Sequence, residues 1–196
     1  MNSLNGGQQA RQHGAREPLH VERVCRLAHN SFWLTLEVRD GADPLQLARG
    51  QYIAPLPLKA RVLKHGRIGD LFGTGWATLH VISERFRQLL DLNQLTGSRA
   101  LPVEIIDYVL DMPVYLLAVT GRCGSEYGSG GRYRPGLPPF GMFLDPLEWD
   151  GSDLFTPTNS GVVLFGARAA NVVRRARLRN VQLEPAHYRE SGMTAR

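Results

Sequence analysis

Residues 70–97 read DLFGTGWATLHVISERFRQLLDLNQLTG, and the three letters that open this stretch recur once, at 153–155. When the two copies are aligned at a constant offset of 83 positions, identities are few but the physical pattern agrees. In this alignment an apolar run at 79–82 corresponds to a second apolar run at 162–165. Each run is short enough to be a buried strand. The repeated Asp-Leu-Phe therefore predicts two related structural units.

An amphipathic helix is predicted after each apolar run. The positions of its inward face keep a spacing of i, i+3, i+4, i+7 in both copies: Phe86, Leu89, Leu90 and Asn93, then Ala169, Val172, Val173 and Ala176. Ser83 is a good N-cap, and Gly166 is its weaker equivalent. Gly97 and Asn180 occupy the same position in the two copies, and both residue types tolerate the left-handed conformation that ends a helix.

The rest of the chain predicts further strands. Two alternating segments, LHVERVCRLA and SFWLTLEVRD, indicate a hairpin around His29 and Asn30. Residues 101–121 predict two strands joined by a tight turn at 111–113, and the Gly- and Pro-rich residues 121–141 predict a loop. Together these elements predict an α+β protein with an antiparallel sheet and few helices, built from two related strand-helix-strand units.

This organisation predicts six segments along the chain. They are a disordered tail at 1–17, an N-terminal strand region at 18–66, the first repeat unit plus a hairpin at 67–120, a connector at 121–148, the second repeat unit at 149–188 and a tail at 189–196.

Composition indicates a globular chain. Its 196 residues are 43% hydrophobic, yet no segment approaches the ~18 uninterrupted apolar residues of a membrane span. The N-terminal stretch also lacks the apolar region of a secretory signal, so we expect a cytoplasmic protein. Two cysteines, Cys25 and Cys123, supply neither a disulfide framework nor the four ligands of a usual zinc site. No cofactor and no metal are predicted.

Motifs of catalysis are weak in this sequence. The glycine-rich GSEYGSGG is not followed by the Lys-Ser/Thr of a phosphate-binding loop, and the six histidines show no ligand spacing. Asp70, His80 and Ser83 form a nominal nucleophile set, but Ser83 is better explained as a helix cap. We therefore expect a protein that is not an enzyme.

The same residues resemble a known family. WDGSDLF at 149–155, followed by a strand, an amphipathic helix and the exit LRNVQL, is similar to bacterial polymorphic-toxin immunity proteins of the myxobacterial type. These are related to a group with a double Cys-x-x-Cys-Gly motif. The run VISERFRQLLDLNQLTGSRALPVEI, followed by VYLLAV, is also similar to that family. The resemblance covers about residues 66–188, and the Cys-x-x-Cys-Gly motifs are absent here.

The resemblance implies a small cytoplasmic immunity protein. Such a protein binds the cognate toxin domain and neutralises it by stoichiometric occlusion, through an interface of ~1,600 Å² or more. No catalytic residue is needed for that mechanism. A monomer is expected on separate grounds, because the sequence shows no heptad pattern and no long exposed apolar stripe.

Five arginines, on the second predicted helix and just after it, are candidates for partner contact: Arg168, Arg174, Arg175, Arg177 and Arg179. One interpretation is a solvated helix face whose cations lie near the negative end of the helix dipole. The other is a binding surface for an acidic partner, which suits a chain of net charge +5. Nucleic acid is the weakest alternative, because no aromatic residue interleaves the arginines to stack bases.

The predicted loop at 121–141 supplies four more candidates, Tyr127, Arg132, Tyr133 and Arg134, because Tyr and Arg are frequent interface anchors. A flexible connector with incidental aromatic residues is the alternative. For the whole chain, the alternative to an immunity protein is a basic nucleic-acid-associated or regulatory binding protein. Polyanion binding falls steeply with salt, whereas a packed protein interface loses much less affinity, so salt dependence separates the two.

Overall fold

The computed structural model describes residues 18–28, 34–38, 43–51, 55–127, 142–158, 160–186 and 189–190. The architecture is α+β, as predicted. Within these residues the elements are, in chain order, β1 (Cys25–Ala28), β2 (Thr35–Val38), α1 (Pro44–Ala48), β3 (Leu58–Lys64), β4 (Leu71–Thr74), β5 (Val81–Ser83), α2 (Glu84–Leu92), β6 (Ser98–Ile105), β7 (Val114–Val119), β8 (Arg122–Tyr127), β9 (Met142–Asp145), β10 (Leu154–Pro157), β11 (Leu164–Phe165), α3 (Ala167–Ala176), β12 (Gln182–Pro185) and β13 (Arg189–Glu190). Short 3-10 helices lie at Val21–Arg23 and Pro146–Glu148.

Six strands close into a barrel in the order β2-β3-β6-β7-β5-β4. Its interior is filled by apolar side chains with no exposed surface, including Leu36, Leu58, Phe72, Val81 and Leu116. The strand pairs β2–β4 and β3–β6 are parallel, and the other four pairs are antiparallel.

The other strands form a second sheet in the order β12-β1-β11-β10-β8-β9-β13. Residues 186–188 alone separate β12 from β13 in sequence, yet these strands lie at the two ends of the sheet. The sheet must therefore curl until its ends are close. The pairs β10–β8 and β13–β9 are parallel. The prediction of an antiparallel sheet is wrong on this point, because both sheets are mixed.

A central apolar layer between the two sheets explains the two apolar residues of Asp-Leu-Phe. Successive side chains of a strand point to opposite faces. Leu71 and Leu154 thus enter the central layer, whereas Phe72 fills the barrel and Phe155 packs inside the second sheet. All four side chains have no exposed surface. Strands buried on both faces explain why the sequence shows continuous apolar runs there.

The predicted helices form and bury most of the predicted faces; Asn93, predicted to point inward, is instead the exposed C-cap of α2. Phe86 and Leu90 of α2, and Ala169 and Val173 of α3, are buried in the central layer. The Ser83 hydroxyl accepts a hydrogen bond from the Phe86 N–H at 3.2 Å, so it is the N-cap of α2. Gly166 is the N-cap residue of α3 and makes no side-chain hydrogen bond, because glycine has no side chain.

The ends of the helices differ in detail from the prediction. The first left-handed residues after α2 and α3 are Gln94 (φ +50°) and Arg177 (φ +48°). Gly97 (φ +87°) and Asn180 (φ +63°) are also left-handed, but each lies three residues later, in the exit loop. The loop after each helix therefore has two left-handed residues, and the equivalent residues Gly97 and Asn180 are the second of each pair.

Two predicted connections are wrong. β1 pairs with β11 and β12, whereas β2 pairs with β3 and β4, so these two strands belong to different sheets and form no hairpin. Part of the predicted loop at 121–141 is the strand β8. Its Gly124 reflects close packing, because a Cβ there would overlap the Glu148 carboxylate. Residues 128–141 lie outside the described residues.

The pair of strands predicted within 101–121 is confirmed as β6 and β7. They are antiparallel from Val103 opposite Val114 to Ser98 opposite Val119. The connection is longer than the predicted tight turn, since it comprises residues 106–113.

Gly97→Ala should lower the free energy of unfolding by at least ~2 kcal/mol, because the new Cβ would overlap the Leu154 carbonyl oxygen at a left-handed position. Gly75→Ala is the matched control, since a Cβ at Gly75 would lie 3.5 Å from Leu63 in ordinary contact. Urea unfolding of both variants measures the difference. Equal stability of the two variants would contradict the close approach at Gly97.

Candidate partner-binding surfaces

The structure separates Arg168 from the other four candidate arginines. Arg168 lies in the first turn of α3, and Arg177 follows the last turn, about 14 Å further along the helix axis. The Arg168 guanidinium donates to both carboxylate oxygens of Asp153, at 2.8 and 2.6 Å, and to the carbonyl oxygen of Gln94 at 2.9 Å. This side chain is more than half exposed, but its guanidinium is engaged in contacts within the chain.

The remaining arginines lie together at the C-terminal end of α3. Arg174, Arg175, Arg177 and Arg179 are all exposed. The Arg174 guanidinium is 2.9 Å from the Cys25 sulfur, whose strand runs beside α3, and the Arg179 backbone N–H donates to Asp70 at 2.7 Å. This position suits cations, because the C-terminal end of a helix carries partial negative charge. These four side chains form the arginine surface.

Four sequence candidates have no described side chain. Tyr127 is the last residue of β8, where its backbone pairs with Met142. The side chain of Tyr127 and the whole of Arg132, Tyr133 and Arg134 lie outside the described residues. Their role in binding stays a prediction.

The two Asp-Leu-Phe aspartates lie in reciprocal positions. Asp70 accepts hydrogen bonds from the Ser83 hydroxyl at 2.7 Å and from the Arg179 N–H at 2.7 Å. Asp153 accepts from the Thr96 N–H at 2.9 Å and from the Thr96 hydroxyl at 3.0 Å. Thr96 and Arg179 are 83 positions apart, as the two aspartates are. Each carboxylate thus holds the loop that follows the helix of the other segment.

We call these reciprocal contacts of Asp70 and Asp153 the interlock. Two arginines, Arg85 and Arg168, add equivalent contacts to it. Arg85 contacts Asp70 at 3.3 Å and donates to the Ala176 carbonyl oxygen at 3.0 Å. Arg168 contacts Asp153 and donates to the Asn93 carbonyl oxygen at 3.3 Å. The cations therefore satisfy carbonyl groups at the end of the opposite helix, which otherwise lack partners.

The pKa values of Asp153, just before β10, and of Cys123 in β8 are shifted. Burial opposes ionisation of Asp153, but hydrogen bonds from Arg168 and Thr96 outweigh it and lower the pKa of Asp153. Burial raises the pKa of the Cys123 thiol to about 12. Cys25 and Cys123 are both buried free thiols.

The nominal nucleophile set of the sequence is a structural group. Ser83 has no exposed surface, and its hydroxyl bridges Asp70 and the first turn of α2. His80 is 4% exposed and lies directly before β5. This geometry is that of a helix cap held in place by a buried carboxylate.

One end of the barrel carries an exposed apolar surface that the sequence patterns did not predict. This rim surface consists of Leu63, Trp76, Ile106, Tyr108 and Val109. Trp76 is 52% exposed and Val109 is 88% exposed.

Contacts between three segments bring the rim residues together. Gly75, next to Trp76, packs near Leu63. The Ile106 N–H donates to the Ala60 carbonyl oxygen at 3.0 Å, and the rings of His65 and Tyr108 are 5.8 Å apart. An open groove of about 290 Å³ continues the apolar surface, lined by Val103, Ile105, Leu110, Met112 and their neighbours.

Charged residues of both signs border the rim surface, because Asp107 and Asp111 in the connection 106–113 are exposed and the segment 59–67 is basic. Residues 59–67 read KARVLKHGR, with four lysines or arginines and no acidic residue. Lys59 is paired with Glu104, whereas Arg61 and Arg67 are exposed. One signal in the sequence could have revealed this surface. Along β3 the inward residues are apolar and the outward residues are charged, except for the outward Leu63.

Three further properties concern cofactors, membranes and similar proteins. Within the described ranges, no group of three His, Cys, Asp or Glu residues could hold a metal ion. No helix in that part of the chain is long and apolar enough to cross a membrane. Comparison of the sequence with models of protein families and with curated proteins gives no match.

Asp153→Asn should destabilise the protein by about 1–2 kcal/mol at pH 7, because the charge-assisted hydrogen bonds from Arg168 and Thr96 are weakened. The folded-state pKa of Asp153 is lowered. Its contribution is therefore present above the unfolded-state pKa and is lost as pH falls through the folded-state value. The difference between wild type and variant should shrink below about pH 4.

Chemical denaturation at pH 7 and at pH 3 measures this difference. Glu104→Gln is the control, since its pair with Lys59 is half exposed and should contribute less than ~1 kcal/mol. A loss that is equal at both pH values would contradict the assigned role of the Asp153 charge.

Proposed function

We propose that this chain is a cytoplasmic immunity protein that binds a cognate bacterial toxin domain and neutralises it by stoichiometric occlusion. The resemblance over residues 66–188 supports the toxin-immunity context. The structural observation that carries a binding role is the rim surface, an exposed cluster that includes Trp76, Leu63 and Val109. Large apolar and aromatic side chains of this kind are the anchors that a protein partner covers.

The charge of the chain indicates the kind of partner surface. The rim surface is bordered by the basic segment 59–67, the arginine surface is basic, and the net charge is +5. An immunity protein that mimicked nucleic acid to block a nuclease would be acidic instead. The proposed toxin face is therefore acidic around an apolar centre.

A second candidate function is binding of a nucleic acid, in a basic nucleic-acid-associated or regulatory protein. Trp76 and Tyr108 lie beside exposed cations, and aromatic rings next to cations can stack single-stranded bases. Such binding should weaken strongly between 50 and 200 mM salt. Fluorescence anisotropy with a labelled oligonucleotide across that range tests this alternative.

We also infer that the two Asp-Leu-Phe segments are related strand-helix-strand units. Support comes from the reciprocal interlock, in which Asp70 and Arg85 correspond to Asp153 and Arg168. Their units have the same element order, strand, strand, helix and strand. We propose a scaffold of two such units that presents binding surfaces and works as a monomer.

A growth assay tests immunity. The C-terminal domain encoded by the neighbouring gene is expressed in a neutral bacterial host with and without this chain. We expect the toxin domain to stop growth and this chain to restore it. Growth arrest that persists while the chain is abundant and soluble would reject that toxin as its partner.

Surface variants should identify the contact face. Trp76→Glu together with Val109→Glu should weaken toxin binding at least ~100-fold, because two apolar anchors are replaced by charges facing an acidic partner. Leu147→Glu is the matched control, since Leu147 is 94% exposed in the 3-10 helix Pro146–Glu148, away from the rim surface. Calorimetric titration measures affinity, and unchanged melting temperatures show that folding is intact.

Charge reversal at the arginine surface tests the other candidate face. Arg174→Glu, Arg175→Glu and Arg177→Glu together should weaken toxin binding at low salt if this surface meets the acidic partner. Affinity that is unchanged at low salt would exclude the arginine surface. Affinity that also survives the rim variants would exclude both faces.

A further inference from the structure

The N-terminal strand β1 has the same place in the second sheet that β7 has in the barrel. In the barrel, Tyr115 of β7 lies between Ile82 and Pro102. In the second sheet, Cys25 of β1 lies between Phe165 and Pro185. Phe165 and Pro185 follow Ile82 and Pro102 by 83 positions, so β1 and β7 are equivalent in register as well as in strand order.

The next strand of each segment also corresponds. β2 pairs in parallel with β4, with Thr35 opposite Gly73. β8 pairs in parallel with β10, with Arg122 opposite Thr156. Gly73 and Thr156 are again 83 positions apart, so β8 occupies the place of β2.

The third strands complete the correspondence. Ala60 of β3 lies between Val38 and Ile105. Leu144 of β9 lies between Ser125 and Glu190. The barrel order β2-β3-β6-β7-β5-β4 thus matches β8-β9-β13/β12-β1-β11-β10, with β12 and β13 together in the place of β6.

Chain order shows which strand belongs to which repeat. β1 directly precedes β2, and β7 directly precedes β8. The described chain is therefore two tandem repeats, one from β1 to β6 and the other from β7 to β13. The first strand of each repeat is inserted into the sheet of the other.

In the monomer, β1 lies between β11 and β12 of its own chain. We propose that this position is a strand-binding site, and that in a strand-exchanged dimer it takes β1 of a second copy of the chain. Both edges of β1 are hydrogen-bonded, and Cys25 and Leu27 are buried. The Arg26 guanidinium meets the Glu184 carboxylate at 2.5 Å. Main-chain pairing supplies affinity, and the alternate side chains supply specificity.

The position of β1 in the chain makes it the exchangeable strand. β7 lies between β6 and β8 in the chain, whereas β1 is the first of the described strands and is preceded, among the described residues, by the short 3-10 helix Val21–Arg23. The same contacts form within one chain or between two, so chain concentration decides the outcome. A short connection gives an effective concentration near the millimolar range, which favours the monomer in dilute solution. Strand binding at this site is independent of toxin binding.

The first test supplies the strand in trans. Leu27→Asp in the full chain places a charge in the central layer and should displace its own β1. A labelled synthetic peptide of residues 18–30 should then bind this variant with 1:1 stoichiometry and raise its melting temperature. The same peptide carrying Leu27→Asp is the control and should bind at least about tenfold more weakly.

A second test keeps the native β1 and covers the case in which Leu27→Asp fails to fold. Ala28→Cys with Gln182→Cys places two cysteines at opposed positions of β1 and β12. After oxidative refolding, the fraction of disulfide-linked dimer should rise with chain concentration. Arg99→Cys with Ala118→Cys is the equivalent pair in the barrel and should give mainly linked monomer.

The outcomes decide the proposal. Peptide capture by a folded variant, or concentration-dependent linked dimers from the β1–β12 pair alone, would support it. A folded Leu27→Asp variant that ignores the peptide, or linked monomer at every refolding concentration, would overturn it.

Discussion

The fold depends on two aspartates, each of which binds the loop that follows the helix of the other segment. Asp70 binds the backbone N–H of Arg179, and Asp153 binds that of Thr96. Both carboxylates are largely shielded from water, so removal of either would leave buried donors without a partner, which costs more than an ordinary hydrogen bond contributes. Because each contact crosses between the segments, neither helix exit is stabilised by its own strand alone. This constraint ties each helix exit to the Asp-Leu-Phe strand of the other segment.

Packing on the two sides of each strand explains how one short motif serves two cores. Leu71 and Leu154 fill the layer shared by the sheets, while Phe72 and Phe155 fill the separate interiors. Interchanging the leucine and phenylalanine positions would overpack one layer and leave a cavity in the other. Gly97 and Asn180 also occupy equivalent positions whose surroundings require different residues. Asn180 donates to the Leu71 carbonyl oxygen at 2.7 Å, whereas Gly97 lies too close to the Leu154 carbonyl oxygen for any side chain.

Four of the exposed large apolar side chains, Leu63, Trp76, Ile106 and Val109, lie at the rim of the barrel. The equivalent strand pairs are buried by the same rules in both halves, so the surfaces that differ between the halves are free to carry function. Trp76 and Val109 belong to connections, at 75–80 and 106–113, that contain none of the residues of the interlock. The position of these side chains on connections, away from the interlocked strands and helices, suits the proposed role in binding a partner.

The sequence alone determined the α+β class, the strand and helix after each Asp-Leu-Phe, and the Ser83 cap, because these depend on local periodicity and on one hydroxyl. It could not determine which sheet takes β1 or β8, since apolar alternation indicates a buried strand without naming its neighbours. It also placed Arg168 with the other arginines, although only the fold turns this side chain towards Asp153. The rim surface and the exchange of first strands depend on contacts between residues far apart in the chain, and tertiary structure alone decides those.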